Sequence, residues 1–267
     1  MRSAIVLGAG RSGTSLLAGL FHGAGYFSGD SLWPPTVSNP VGYFEDAEVN
    51  AINEDLLSGV APWRPRGAAG VLLPVLRDRP RWSQRWLLTL PAGTDVPVKP
   101  ALNQRMATQT ARQPYLFKDP RFSYTLPAWR PHLAPDTVFM CIFREPQRTI
   151  NSIMKVVRDE RYLRDLRMST ERAARYWEAV YRSVLYQRSV AGGKWLFVHY
   201  DELLSGPAIP VLEDHLEAKA DRAMLRSELK RSSLDASVPV SLQLLFRELS
   251  TLSEEKYSAE LRPDRPG

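Results

Sequence analysis

The chain has 267 residues, 44% apolar and 24% charged, an ordinary globular balance that can bury a sizeable core. Its net charge of +6 favours anionic ligands, but no basic run with interleaved aromatics suggests a nucleic-acid groove. The lone cysteine, Cys141, can form no internal disulfide, and no signal peptide or apolar span of about 20 residues is read. The expectation is one soluble, cytoplasmic domain over residues 1–267 with no membrane span.

The apolar run 4–7 reads as a first strand, and Leu16, Leu17, Leu20 and Phe21 recur at helical spacing behind it, so a helix is expected over about 13–25. Between them lies GAGRSGTS. A strand, a glycine-rich turn and a helix start form a phosphate cradle, because backbone N–H groups and the helix dipole converge there. Gly8, Gly13 and Ser15 match the nucleotide P-loop GxxxxGK[ST], but Thr14 stands where its lysine belongs and Arg11 lies inside the loop. Without that lysine, ATP or GTP hydrolysis is disfavoured. Gly8, Gly10 and Gly13 also satisfy GxGxxG, yet no acidic residue ends a second strand about 20 residues later. A glycine-rich turn that binds nothing stays open at this point.

Residues 26–44, rich in Gly, Pro, Ser and aromatics, read as an ordered loop. Asp46 is placed to cap the next helix, AEVNAINEDLL, whose Val49, Ile52, Leu56 and Leu57 share a face. Seven prolines break the pattern from Pro62 to Pro100, leaving a helical piece over 81–90 and a helix over 101–112. Strands are expected at 115–117, 137–143 and 194–198, with helices at about 123–133, 146–157 and 169–190. Strand–helix alternation predicts a three-layer α/β fold with a central parallel sheet and its ligand site at the carboxyl ends of the strands. Three of those ends carry polar signatures: GAGRSGTS, KDPR and REPQRTINS. Beyond residue 206 no boundaries are assigned.

With these residues in hand, the chain resembles the sulfotransferases that use 3′-phosphoadenosine-5′-phosphosulfate (PAPS). In that family a Lys or Arg followed by SGT[ST] holds the 5′-phosphosulfate, and Arg11-Ser12-Gly13-Thr14-Ser15, after Gly10, fits. A second signature, an Arg at a strand end and a Ser eight residues on, binds the 3′-phosphate, and Arg144 and Ser152 have that spacing. The YDELL run at 200–204 also resembles a family landmark, and NPVGYFED and FKDPR resemble bacterial and carbohydrate-type members. Two anion sites suit a donor phosphorylated at two places. The competing reading makes Arg144 a surface cation and Ser152 a helix-face residue.

The resemblance implies transfer of the sulfuryl group to a hydroxyl or amine of a small-molecule or carbohydrate acceptor, giving the 3′,5′-bisphosphate (PAP), with no metal. It places Lys118 where relatives keep a lysine on the bridging oxygen; the competing reading pairs Lys118 with Asp119. Some relatives use a histidine two residues after that lysine as base, but Pro120 stands there. Others use a glutamate after the first helix, which makes Glu45 the candidate base, followed by Asp119 and then Asp46. Helix capping is the competing role for Glu45 and Asp46. Arg148 and Arg158 read as solvated, His22 as structural and Cys141 as core. Residues 60–112 and 159–190, with Trp63, Trp82, Trp86, Tyr162 and Trp177, are expected to form the acceptor pocket. A small-molecule P-loop kinase with an altered loop and a non-catalytic nucleotide-binding module are the alternative readings.

Overall fold

The computed structural model describes residues 1–36, 38–62, 64, 65, 77, 78, 80–227 and 238–260. Its centre is a parallel sheet of four strands: β1 (Ala4–Leu7), β2 (Leu116–Lys118), β3 (Val138–Phe143) and β4 (Lys194–His199), in the order β2-β1-β3-β4. The register pairs Val6 with Lys118 on one side of β1 and Leu7 with Cys141 on the other. Buried parallel strands read as unbroken apolar runs because both faces are covered. Here Ala4, Val6, Leu116, Met140 and Ile142 face one core, and Ile5, Leu7, Phe117, Cys141 and Phe143 face the other.

Helices α1 (Thr14–His22), α7 (Tyr200–Ser205) and α8 (Ala208–Leu216) cover the first face. The second is covered by α2 (Ala47–Val60), α3 (Pro100–Thr110), α4 (Phe122–Trp129), α5 (Pro146–Asp159), α6 (Thr170–Ala191) and α9 (Val240–Glu260). The three-layer expectation is met. Among the described residues no helix is long and apolar enough to cross a membrane.

Local differences have local causes. α1 stops at His22 rather than running to 25, because Gly23 ends the hydrogen-bonded ladder. The second strand lies one residue later than expected, at Leu116–Lys118. The piece over 81–90 is a shorter 3₁₀ turn, Trp82–Leu87, flanked by extended residues Arg81 and Leu88. Cys141 is fully buried, and burial pushes its thiol up, so it is an inert core residue.

Candidate functional site

The loop after β1 is held from behind. Gly8 N donates to Ser123 Oγ (3.2 Å), Ala9 N to Tyr181 Oη (3.3 Å) and Gly10 N to Tyr176 Oη (2.8 Å). These bonds fix the first half of the loop and consume its amides. The amides left for an anion are those of the helix start, which lack intrahelical partners, and no side chain caps α1. Gly13 has φ 100°, and a Cβ there would lie 2.4 Å from the Tyr200 ring. Arg11 also has a left-handed backbone (φ 72°), an uncommon state for a long side chain that the surroundings must enforce. Its guanidinium donates to Ser152 Oγ (3.3 Å) and the Ser38 carbonyl (3.1 Å), and Ser12 and Thr149 hydroxyls lie 3.3 Å apart. Arg11 therefore brings Ser152 to the loop.

Lys118, at the end of β2, is 3% exposed. Its Nζ meets Glu45 Oε1 at 2.5 Å and Ser15 Oγ at 3.3 Å. Period-two alternation explains the contact: Lys118 shares a face with Leu116, the face that α1 covers. Asp119 falls on the opposite face. It is fully buried and accepts four hydrogen bonds, from Asn50 (2.8 Å), Asn53 (2.9 Å) and the backbone (2.8 Å) and guanidinium (3.0 Å) of Arg121. Lys118 pairs with Glu45 and not with Asp119, against the competing reading, and Asp119 is a brace rather than a group facing the cavity. Asp46 caps α2, accepting from Glu48 N and Val49 N, and also accepts from Ser31 N. It is not among the residues that line the cavity described below.

Behind Asp119 lies a network that sequence reasoning missed. Glu54, fully buried, accepts from Arg121 (2.8 and 2.7 Å) and Arg85 (2.9 Å), while the Asn53 carbonyl accepts from Thr125 and Trp129. Burial pushes the Glu54 carboxyl up to about 7, against the pull of Arg121 and then Arg85. The available signal was Asn50, Asn53 and Glu54 at i, i+3 and i+4, a polar stripe beside the apolar face of α2.

A cavity of about 430 Å³ opens over these groups, lined by Gly10, Arg11, Thr14, Ser15, Glu45 and Lys118 at its polar side. Its other walls come from the loop before α2, the 3₁₀ turn and the end of α5, and include Trp33, Tyr43, Trp82, Trp86, Val156 and Tyr162. Trp82, Trp86 and Tyr162 are thus where expected. Trp177 is not: it is fully buried, with Nε1 donating to the Arg144 carbonyl (3.3 Å). Trp63 lies outside the described residues. Arg144 and Ser152 do not line this cavity. The Arg144 guanidinium is 8% exposed and stacks 4.4 Å over Tyr200, the ring that also packs on Gly13. The two expected anion positions are therefore joined through Tyr200 on one side and through Arg11–Ser152 on the other.

Three further residues differ from expectation or match it simply. Arg148 is not solvated but pairs with Glu145 at 3.2 Å, 21% exposed, whereas Arg158 is exposed beside Asp159. His22 contacts Ser28 and the Phe44 ring, a structural role. Among the described residues no group of three His, Cys, Asp or Glu is placed to hold a metal.

A parallel α/β sheet with a glycine-rich loop after β1 is an architecture shared by many functions, so the fold alone assigns none. The chain belongs to the sulfotransferase family, whose model matches residues 4–211. The structure is similar to the sulfotransferase domain of the Synechococcus PCC 7002 olefin synthase, with a TM-score of 0.51 and 16% identity over 94% of each chain. It is also similar to the sulfotransferase STF9 from Mycobacterium avium, with a TM-score of 0.51 and 17% identity, covering 94% of this chain and 76% of that one. At such identities the likeness is one of fold. No curated protein matches the sequence.

Proposed function

We propose that the protein transfers the sulfuryl group of PAPS to a hydroxyl, or an amine, of a small-molecule or carbohydrate acceptor, releasing PAP. The observation that carries this reading is Lys118: its ammonium touches both the phosphate-loop hydroxyl Ser15 and the carboxylate Glu45 at the floor of a cavity. A P-loop missing its lysine at position 14 thereby regains a cation from the neighbouring strand.

The residues fit such a donor. The uncapped start of α1, the enforced backbone of Arg11 and the Gly13 turn make a cradle for the 5′-phosphosulfate, formed by Gly10 to Ser15. Arg144, with Ser152 close to Arg11, supplies the cation for the 3′-phosphate. When bound, the donor supplies an activated sulfuryl group on a phosphate leaving group. Glu45 takes the proton from the acceptor oxygen as that oxygen bonds to sulfur. Lys118, Arg11 and the helix-start amides stabilise the negative charge left on the phosphate oxygen as its bond to sulfur breaks. Tyr43, on the cavity wall, excludes water from the sulfuryl group.

The test is ligand choice. PAP is expected to raise the melting temperature more than AMP or ATP, with or without magnesium, and a ligand at 100 times its Kd stabilises by about 2.7 kcal/mol. Equal shifts from AMP and PAP would remove the 3′-phosphate site, and a magnesium-dependent ATP shift would point to a kinase.

A further inference from the structure

We infer that the acceptor is an uncharged, apolar hydroxyl compound with a flat ring face, a phenol or polycyclic alcohol, rather than a sugar or an anionic glycan. This rests on the sulfuryl-transfer reading and narrows its acceptor.

The first argument is the wall. Trp33 (40% exposed), Trp82 (41%) and Tyr162 (40%) present their rings at one cavity, with the Trp33 and Trp82 centroids 6.1 Å apart. Trp86 continues the wall inward until it meets the phosphate loop: a Cβ on Gly10 would lie 2.4 Å from its six-membered ring. A contiguous aromatic surface of this kind marks a binding site. A ring laid along it delivers its hydroxyl toward Glu45 and Lys118.

The second argument is what the wall does not offer. A sugar carries a hydroxyl on nearly every ring carbon, and each one buried needs a partner. Among the described residues, the polar side chains on the loop side are bonded to one another, which leaves each only part of its bonding capacity for a ligand. Thr36 Oγ1 meets Tyr43 Oη at 2.7 Å, Ser38 Oγ meets it at 3.3 Å, and the Asn39 amide donates to the Gly42 carbonyl (2.7 Å) and Ser15 Oγ (3.1 Å).

The third is charge. Lys118 is matched by Glu45, and Arg121 by Glu54 and Asp119. The remaining cation on the described lining, Arg11, belongs to the donor loop. Among the described residues, an acidic acceptor would find no surplus positive charge beside the transfer point.

The test compares 2-naphthol, N,N′-diacetylchitobiose and a heparin disaccharide by titration calorimetry on the full chain, with and without PAP, beside the PAP melting shift. Naphthol should bind at least about tenfold more tightly than either disaccharide. The Trp33→Ala/Trp82→Ala variant, and Tyr162→Ala separately, should each lose most of that affinity while the PAP shift stays unchanged. All three rings are well exposed, so folding is not at stake. Preferential binding of either disaccharide, or naphthol affinity untouched by both variants, overturns the inference. If naphthol binds as expected but PAP gives no shift, the donor reading fails and the apolar site stands. If PAP shifts and naphthol does not bind, the acceptor inference alone fails.

Discussion

Replacing Lys118 by Met separates two roles that the ion pair with Glu45 combines. The pair is 2.5 Å long, with side chains 2% and 11% exposed. Removing one partner of a buried pair costs about 3–5 kcal/mol, because the other charge is left uncompensated. Glu45 borders a cavity that water can enter, so the lower end applies, about 3 kcal/mol. For a chain of this size that is roughly 6–12 °C in Tm. Adding Glu45→Gln removes the stranded charge, and the double variant should regain most of the lost stability, since deleting both members of a buried pair is often neutral. Turnover should not return: losing a preorganised cation at developing charge typically costs about 10²–10³-fold. The assays are thermal melts of the four proteins of the cycle and PAP release with 2-naphthol. A single variant as stable as wild type would show that the pair carries no buried charge. Turnover within about tenfold of wild type, roughly 1.4 kcal/mol of barrier, would show that Lys118 does not attend the leaving oxygen.

Arg144→Ala should weaken PAP by about 2–5 kcal/mol, as for truncation of a buried charge partner, and leave AMP nearly unchanged in calorimetry; equal losses would make Arg144 a fold support. Glu45→Gln should lower turnover about 10²–10⁴-fold with PAP affinity retained, whereas Asp119→Asn, which disturbs the brace on Asn50, Asn53 and Arg121, should chiefly lower Tm. Near-full turnover in the first variant and none in the second would move the base to Asp119. Glu54 has a folded pKa of about 7, raised above its unfolded value of 4.5 by burial. Its protonated form is favoured by folding, so its contribution is greatest below about pH 4.5 and is lost as pH rises to about 7. Melts across this window should show that decline in wild type and a flatter profile in Glu54→Gln.

The sequence reveals those parts of the site that are local in the chain. The loop from Gly8 to Ser15 needs only a strand, glycines and a helix start within one segment, and Arg144 to Ser152 likewise spans one strand end and one helix. The Glu54–Arg121–Asp119 brace was hidden because Glu54 lies 67 residues from Arg121 and meets it only when α2 packs beside the end of β2. The roles of Lys118 and Asp119 could have been separated earlier. Neighbouring residues at a strand end point to opposite faces, and the one sharing a face with Leu116 must meet α1. The acceptor walls come from separated segments joined by tertiary packing, so the residue types were visible but the exclusion of Trp177 was not.

The position of the cation also sets what can disturb it. A lysine carried by the loop would depend on loop geometry alone, but Thr14 is buried at the helix start, 3% exposed. The ammonium comes instead from Lys118, whose place is fixed by the pairing of Ala4 with Leu116, Ile5 with Phe117 and Val6 with Lys118. A slip of β2 by one residue would turn Lys118 to the other face and bring Phe117 or Asp119 against α1. Phe117 opposes such a slip, being fully packed between Phe27, Tyr115 and Trp129. Asp119 opposes it through its four hydrogen bonds. The buried carboxylate of Asp119 thus acts as the lock that keeps the adjacent lysine at the glycine-rich loop.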